Sequence, residues 1–217
     1  MSWGTFKRQA EIFIIKGNLV LSYKGLWLLS PSDLDFNYQD PKGKAYFYPQ
    51  EWEEFLASSF PASSLSADQD CSDTSALISR YSQLVSDKDK SVAAAAAQAW
   101  LSWDCLGSSV LQTDATAVSD DVAIDTAKIG LHLYMEALRR GDYLFARGTK
   151  SMAEKGLKVR LVTGRHDMLC PPAWAHKVAT EIRRLGGDAS SSIVEGAAHS
   201  ELDPGMMEAM KSAIKQF

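Results

Sequence analysis

Asp167 and His199 carry the clearest chemical signal in this chain, in the runs TGRHDMLCPP and GAAHSELDPG. An imidazole oriented by a carboxylate can take the proton of a serine hydroxyl and later return it to a leaving group. Such a relay requires that all three groups converge on one reacting atom. Gly196, Ala197 and Ala198 precede His199 and are the small residues that a tight turn at a strand end requires. Cys170, three residues after Asp167, reads as a small buried hydrophobe rather than as a second nucleophile.

Other chemistries find less support. The four histidines, His132, His166, His176 and His199, form no HExxH or comparable pair, so no metal is expected. No cofactor is expected either. Cys71, Cys105 and Cys170 are odd in number and widely spaced, which argues against a disulfide framework and for a reducing, cytoplasmic setting. A formal net charge of −4 without a long Lys/Arg cluster gives no footprint for nucleic acid or an anionic membrane. The apolar stretch from Ile12 to Leu29 is interrupted by Lys16, Gly17, Asn18 and Lys24, so it cannot span a bilayer. A secretory leader pattern is also lacking. The expected partner is small or polar.

The elements that must carry Asp167 and His199 can be read from periodicity and punctuation. Asn18–Leu29 predicts a buried strand ending at Ser30-Pro31. SDLDFNYQD predicts a helix with Ser32 as N-cap, and PQEWEEFLASSF a second with acidic residues in its first turn. The stretch 60–75 predicts a surface loop. Helices are then predicted over 75–85, over 91–103 with Trp100 and Trp103 on one face, and along AIDTAKIGLHLYMEALRR up to Gly141. From LKVRLVTG onward the chain reads strand, helix, strand, helix, which implies a parallel sheet. With 217 residues, 46% of them hydrophobic, the chain can hold a core and an insertion. The expected division is 1–31 and 151–217 for an α/β core and 32–150 for a helical section.

Beyond this layout, the chain resembles the proline iminopeptidases. The matching pieces are LVLSYKGLWLLSPSDLDFNYQD, YPQEWEEFL, AAAAAQAWLSWD, AKIGLHLY, LVTGRHDMLCPP and IVEGAAHSELDPG, in order and with fitting spacing. The resemblance implies a partial α/β-hydrolase core, made of the C-terminal strands of a parallel sheet, with a helical cap inserted. It also implies that Asp167 orients His199 and that His166 replaces an aromatic residue without a chemical part. The family nucleophile lies in a G-x-S-x-G elbow. The run Met1-Ser2-Trp3-Gly4-Thr5 matches its S-W-G-S portion, which assigns Ser2 as nucleophile and Trp3 to substrate binding.

Family members hold the substrate's amino terminus with two carboxylates from the cap. Asp104 stands at the first of these positions and Gly130 at the second. Glu136 cannot replace the latter, because six residues along a helix turn a side chain about 120° away. Losing one carboxylate from an ammonium removes a charge-assisted hydrogen bond of about 1.5–3 kcal/mol.

Departures from the family pattern are equally specific. Its HGGPG loop and the strand leading to the elbow have no counterpart here, and FKRQAEIFIIKGN stands where a small, Ala-rich helix follows the serine. The chain therefore reads as an N-terminally truncated member. Loss of an oxyanion donor costs about 10²–10³ in turnover, and loss of the nucleophile about 10⁶. The expected function is a serine hydrolase that releases an N-terminal residue, preferably proline, from a peptide or splits a related amide or ester, with reduced activity in this form. The alternatives are a non-catalytic binding or partner subunit, or an incomplete gene product. A shortened parallel sheet leaves an edge for an oligomer or a companion chain to cover.

Overall fold

Among the described residues, β-strands lie toward both ends of the sequence and helices fill its middle. The structure, a computed structural model, describes residues 12–15, 18–22, 30–39, 43–59, 73–111 and 118–216, with the first two segments described as backbone. Strand β1 (Ile12–Ile15) and strand β2 (Asn18–Ser22) pair antiparallel, with Ile15 opposite Asn18. The sheet is therefore mixed rather than purely parallel. Two residues of connection suffice only for an antiparallel pair, since a parallel return needs a crossover of a dozen residues or more.

Six helices follow. They are α1 (Pro31–Tyr38), α2 (Lys44–Phe47), α3 (Pro49–Ser59), α4 (Thr74–Leu84), α5 (Lys90–Cys105) and α6 (Asp120–Arg140). The N-cap of α1 is Ser30, two residues earlier than Ser32. Pro31 takes the first helical turn, where a missing N–H costs nothing, and the Asp33 carboxylate accepts the Ser30 N–H at 2.8 Å. Most of the predicted 60–75 loop lies outside the described residues, but Thr74 and Ser75 already belong to α4, which Asp73 caps through the Ser75 N–H.

The apolar faces of these helices form one core. Ala93, Ala94, Ala96 and Ala97 are buried along α5, and side chains this small let neighbouring helices approach closely. Below them, Tyr38 stacks on Trp100 at 4.9 Å and Phe55 stacks on Tyr81 at 4.6 Å, with Trp103 also against Phe55. Helix α6 ends at Gly141, whose φ of 55° suits a residue without a side chain.

The return to alternating structure starts one helix earlier than periodicity predicts. Helix α7 (Tyr143–Glu154) is followed by strand β3 (Lys158–Gly164), helix α8 (Pro172–Arg184), strand β4 (Asp188–Val194) and helix α9 (Met206–Ile214). Strand order in the sheet is β1-β2-β3-β4, with β2, β3 and β4 parallel. Strand β3 is covered on both faces. Val159 and Leu161 pack with Ala175, Val178, Ala179 and Ile182 of α8, while Val162 packs with Met206 and Ala213 around α9. This is the alternation that a strand's two-residue period imposes.

The described residues fall into two compact units. The sheet unit draws on the segments 1–28, 107–113 and 143–217, and the helical unit on 29–106 and 114–142. Helix α7 thus lies wholly in the sheet unit, whereas a boundary at 150 would cut through it.

Candidate active site

Strand β3 ends at Gly164 because the chain that returns from β4 crosses directly over it. A Cβ on Gly164 would lie 2.1 Å from the Ala198 carbonyl oxygen and 2.3 Å from that of Ala197. Only glycine permits this approach. Main-chain bonds then lock the two strand ends together: the Arg165 N–H donates to Val194 O at 2.9 Å, and the His166 N–H to Ala197 O at 2.9 Å.

Asp167 and His199 are brought face to face by this junction. His199 Nδ1 lies 2.9 Å from Asp167 Oδ2. The carboxylate's other oxygen, Oδ1, accepts the N–H groups of Leu169 at 3.0 Å and Cys170 at 2.7 Å. Two fixed donors on one oxygen leave the other aimed at the ring, and a carboxylate there makes Nδ1 the protonated nitrogen. Asp167 is 3% exposed and His199 18%, so the pair is anchored inside while the ring keeps an opening. Such a histidine can accept a proton at Nε2 while the carboxylate steadies the charge that results. His166 is exposed, and Cys170 is half-buried.

In the helical unit, Asp104 occupies the last turn of α5. Its Oδ1 accepts the hydroxyls of Tyr38 at 2.5 Å and Tyr134 at 2.9 Å. Burial, then the Asp104 charge and Tyr134, push the Tyr38 hydroxyl well above its usual pKa. Beside it Lys44 is buried. Its Nζ donates to the Trp103 carbonyl at 2.5 Å and lies 4.9 Å from the Trp103 ring centre, which places a cation at the C-terminal carbonyls of α5.

Gly130, in α6, would bring a Cβ only to within 3.9 Å of Trp100 Nε1. Glu136 is engaged at the surface, where the guanidinium groups of Arg139 and then Arg140 hold its carboxyl down to about 2. Ser2 and Trp3 lie outside the described residues. Among the described residues no group of three or more His, Cys, Asp or Glu could hold a metal ion, and no helix is long and apolar enough to cross a membrane.

No family model matches the chain. Individual proteins do. A probable proline iminopeptidase of Leptolyngbya boryana is 26% identical over 209 residues, covering 92% of this chain and 58% of that protein. The proline iminopeptidase of Xylella fastidiosa strain 9a5c is 24% identical over 203 residues, and that of Xanthomonas citri 24% over 205. The chain is thus similar, at 24–26% identity, to proteins named proline iminopeptidase. It spans 58% of the length of each of these proteins.

Sequence reasoning passes over one more residue of the sheet unit. Asp203 is 3% exposed, and its Oδ2 accepts the Ala198 N–H at 2.6 Å, one residue before the histidine. A buried carboxylate in SELDPG has no periodic signature, because its partners are main-chain groups that only the fold brings to it. Lys44 is inconspicuous for the same reason, as a lysine in PKGKAYF looks like a solvated charge.

Proposed function

We propose that this protein is a serine hydrolase of the proline iminopeptidase type, acting on a peptide or amino-acyl substrate to release its N-terminal residue, preferably proline. In this reading the sheet unit is part of an α/β-hydrolase core, and the helical unit is its cap. Ser2 attacks the scissile carbonyl, and His199 takes its proton and returns it to the leaving amine; water, giving a proton to His199, then splits the acyl-Ser2 ester and frees the residue as His199 returns that proton to the serine oxygen. Asp167 orients the ring, while Trp3 and Asp104 contact the substrate. The setting is the cytoplasm, and an oligomer or companion chain covers the sheet edge.

The observation that carries the reading is the buried Asp167 carboxylate, held by two main-chain donors and directed at His199 Nδ1 at 2.9 Å. The similarity to proteins named proline iminopeptidase supports the substrate class. Asp104 adds to it as a carboxylate whose described hydrogen bonds all fall on one oxygen, Oδ1. Its other oxygen suits a substrate ammonium.

A fluorophosphonate probe on the purified chain, followed by release of a chromophore from a prolyl amide, tests the reading. Labelling is expected on Ser2, lost in Ser2→Ala and His199→Ala, with prolyl amides cleaved in preference to N-blocked ones. Labelling that survives Ser2→Ala, or none in a well-folded sample, would remove Ser2 from the mechanism.

A further inference from the structure

The His199 loop is folded around a second buried carboxylate. Asp203 Oδ2 accepts the Ala198 N–H at 2.6 Å, while Oδ1 accepts the Ser109 hydroxyl at 2.5 Å and the Val110 N–H at 3.2 Å. Its own N–H donates to Ser200 O at 3.1 Å, and its carbonyl accepts the Met206 N–H at the start of α9. The residue is therefore tied into both sides of the histidine, from Ala198 before it to Ser200 after it. The segment at Ser109 and Val110 belongs to the same compact unit.

We propose that Asp203 is a positioning residue for His199, and that its buried carboxylate pins the Ala198 amide on one oxygen and the 109–110 segment on the other. The physical need lies in the loop itself. Ala197 and Ala198 turn with their carbonyls over Gly164, and their methyl side chains have no polar atom with which to hold the turn. Ala197 and Ala198 are also 0% and 1% exposed, so the Ala198 N–H cannot turn to water, and a buried amide without an acceptor is costly. The two carboxylates thus act on different parts of one residue. Asp167 sets the ring of His199, and Asp203 sets the backbone from which the ring projects. An amide at 203 has one acceptor oxygen instead of two and turns an NH₂ group toward a donor, so one side of the clamp must open.

The test is nuclear magnetic resonance of the full chain carrying ¹⁵N-histidine, with His199→Gln assigning the ring signals. In the natural protein the His199 Nδ1 proton is expected to exchange slowly and the ring to hold a single tautomer. In Asp203→Asn the exchange is expected to speed up about tenfold or more, the weight of a charge-assisted hydrogen bond, and the ring shifts move toward a tautomer average. Ser109→Ala should change both in the same direction, by less. Ile182→Val, in the core on the other face of β3, should lower the melting temperature and leave His199 unmoved.

A folded Asp203→Asn protein with natural exchange and shifts overturns the proposal, as does an equal effect from Ile182→Val. If Asp203→Asn does not fold, Ser109→Ala decides alone: unchanged ring signals overturn it, and faster exchange supports it. The consequence for turnover rests on the hydrolase reading. The ring signals need no substrate, so failure of the probe labelling and failure of this clamp are separate results.

Discussion

At Asp167 the two carboxylate oxygens have different duties, and a single substitution separates them. Oδ1 satisfies the Leu169 and Cys170 amides, whereas Oδ2 faces His199. Asp167→Asn can still present one oxygen to the amides, so the fold should survive with a loss of about 1–3 kcal/mol. The ring then meets an NH₂ group instead of an acceptor, which favours the wrong tautomer. On the proposed hydrolase reading, turnover of a prolyl amide, or the rate of probe labelling, should fall by about 10⁴. Thermal melting measured beside the rate distinguishes the two effects; an equal fall in stability and little change in rate would make Asp167 a structural residue. Asp104 differs in kind. Two tyrosine hydroxyls hold it, so its place owes as much to Tyr38 and Tyr134 as to α5, which carries it.

At the scale of elements, α6 carries a glycine where a helix would prefer almost any other residue. Gly130 lies inside the helix, and a Cβ there meets nothing nearer than Trp100 Nε1 at 3.9 Å. Gly130→Ala should stabilise the protein by about 0.8–1.0 kcal/mol, a rise of about 2–4 °C in melting temperature. A fall would mean that the helix is strained at that point.

Strands β3 and β4 offer a test by pH. Arg160 donates to Asp188 at 2.7 and 3.1 Å across them, and this hydrogen bond, opposed by slight burial and aided by the charge, holds the Asp188 carboxyl below its ordinary pKa. A carboxyl depressed in the folded state adds stability above its unfolded value near ~3.9, and that stability is lost as pH falls through the folded value. Asp188 is about half exposed, so screening limits the pair to less than about 1 kcal/mol. Urea unfolding of the natural protein and Arg160→Gln should therefore differ by that amount at pH 7. The pH-dependent part of the difference should vanish in acid.

At the scale of the whole molecule, the described residues form two compact units on one chain. The helical core is built from side chains between Leu34 and Leu138, and the sheet cores from side chains between Phe145 and Ala213. A compact unit with its own core can fold alone. A fragment of residues 29–142 should give a helical circular dichroism spectrum and a cooperative melt, whereas a fragment beginning at residue 143 lacks β2 and the Ser109 and Val110 donors and should not. A non-cooperative melt of the first fragment would show that its core depends on the remainder of the chain.

Much of this architecture is legible in the residues. The periods of α3, α5, α6 and α8 and the strand–helix–strand order from Lys158 onward come from local pattern, and local pattern is what those elements obey. Helix α7 is not legible, because its buried face is sparse: Phe145, Thr149 and Met152, with the Thr149 hydroxyl bonded back to the Phe145 carbonyl. The pairing of β1 is legible in another way: the break at Lys16-Gly17-Asn18 reads as two short strands or a strand after a turn, and a connection this short allows only an antiparallel pair.

The sequence by itself determined which residues could do chemistry, since the small residues before His199 and the residues around Asp167 are local in the chain. Tertiary structure alone decided that they meet, because the contact joins residues 32 positions apart across two parallel strands whose register no single segment encodes. It alone also revealed Asp203 and Lys44 as buried charges, for a charge looks solvated in sequence until the fold removes the water and supplies its partners.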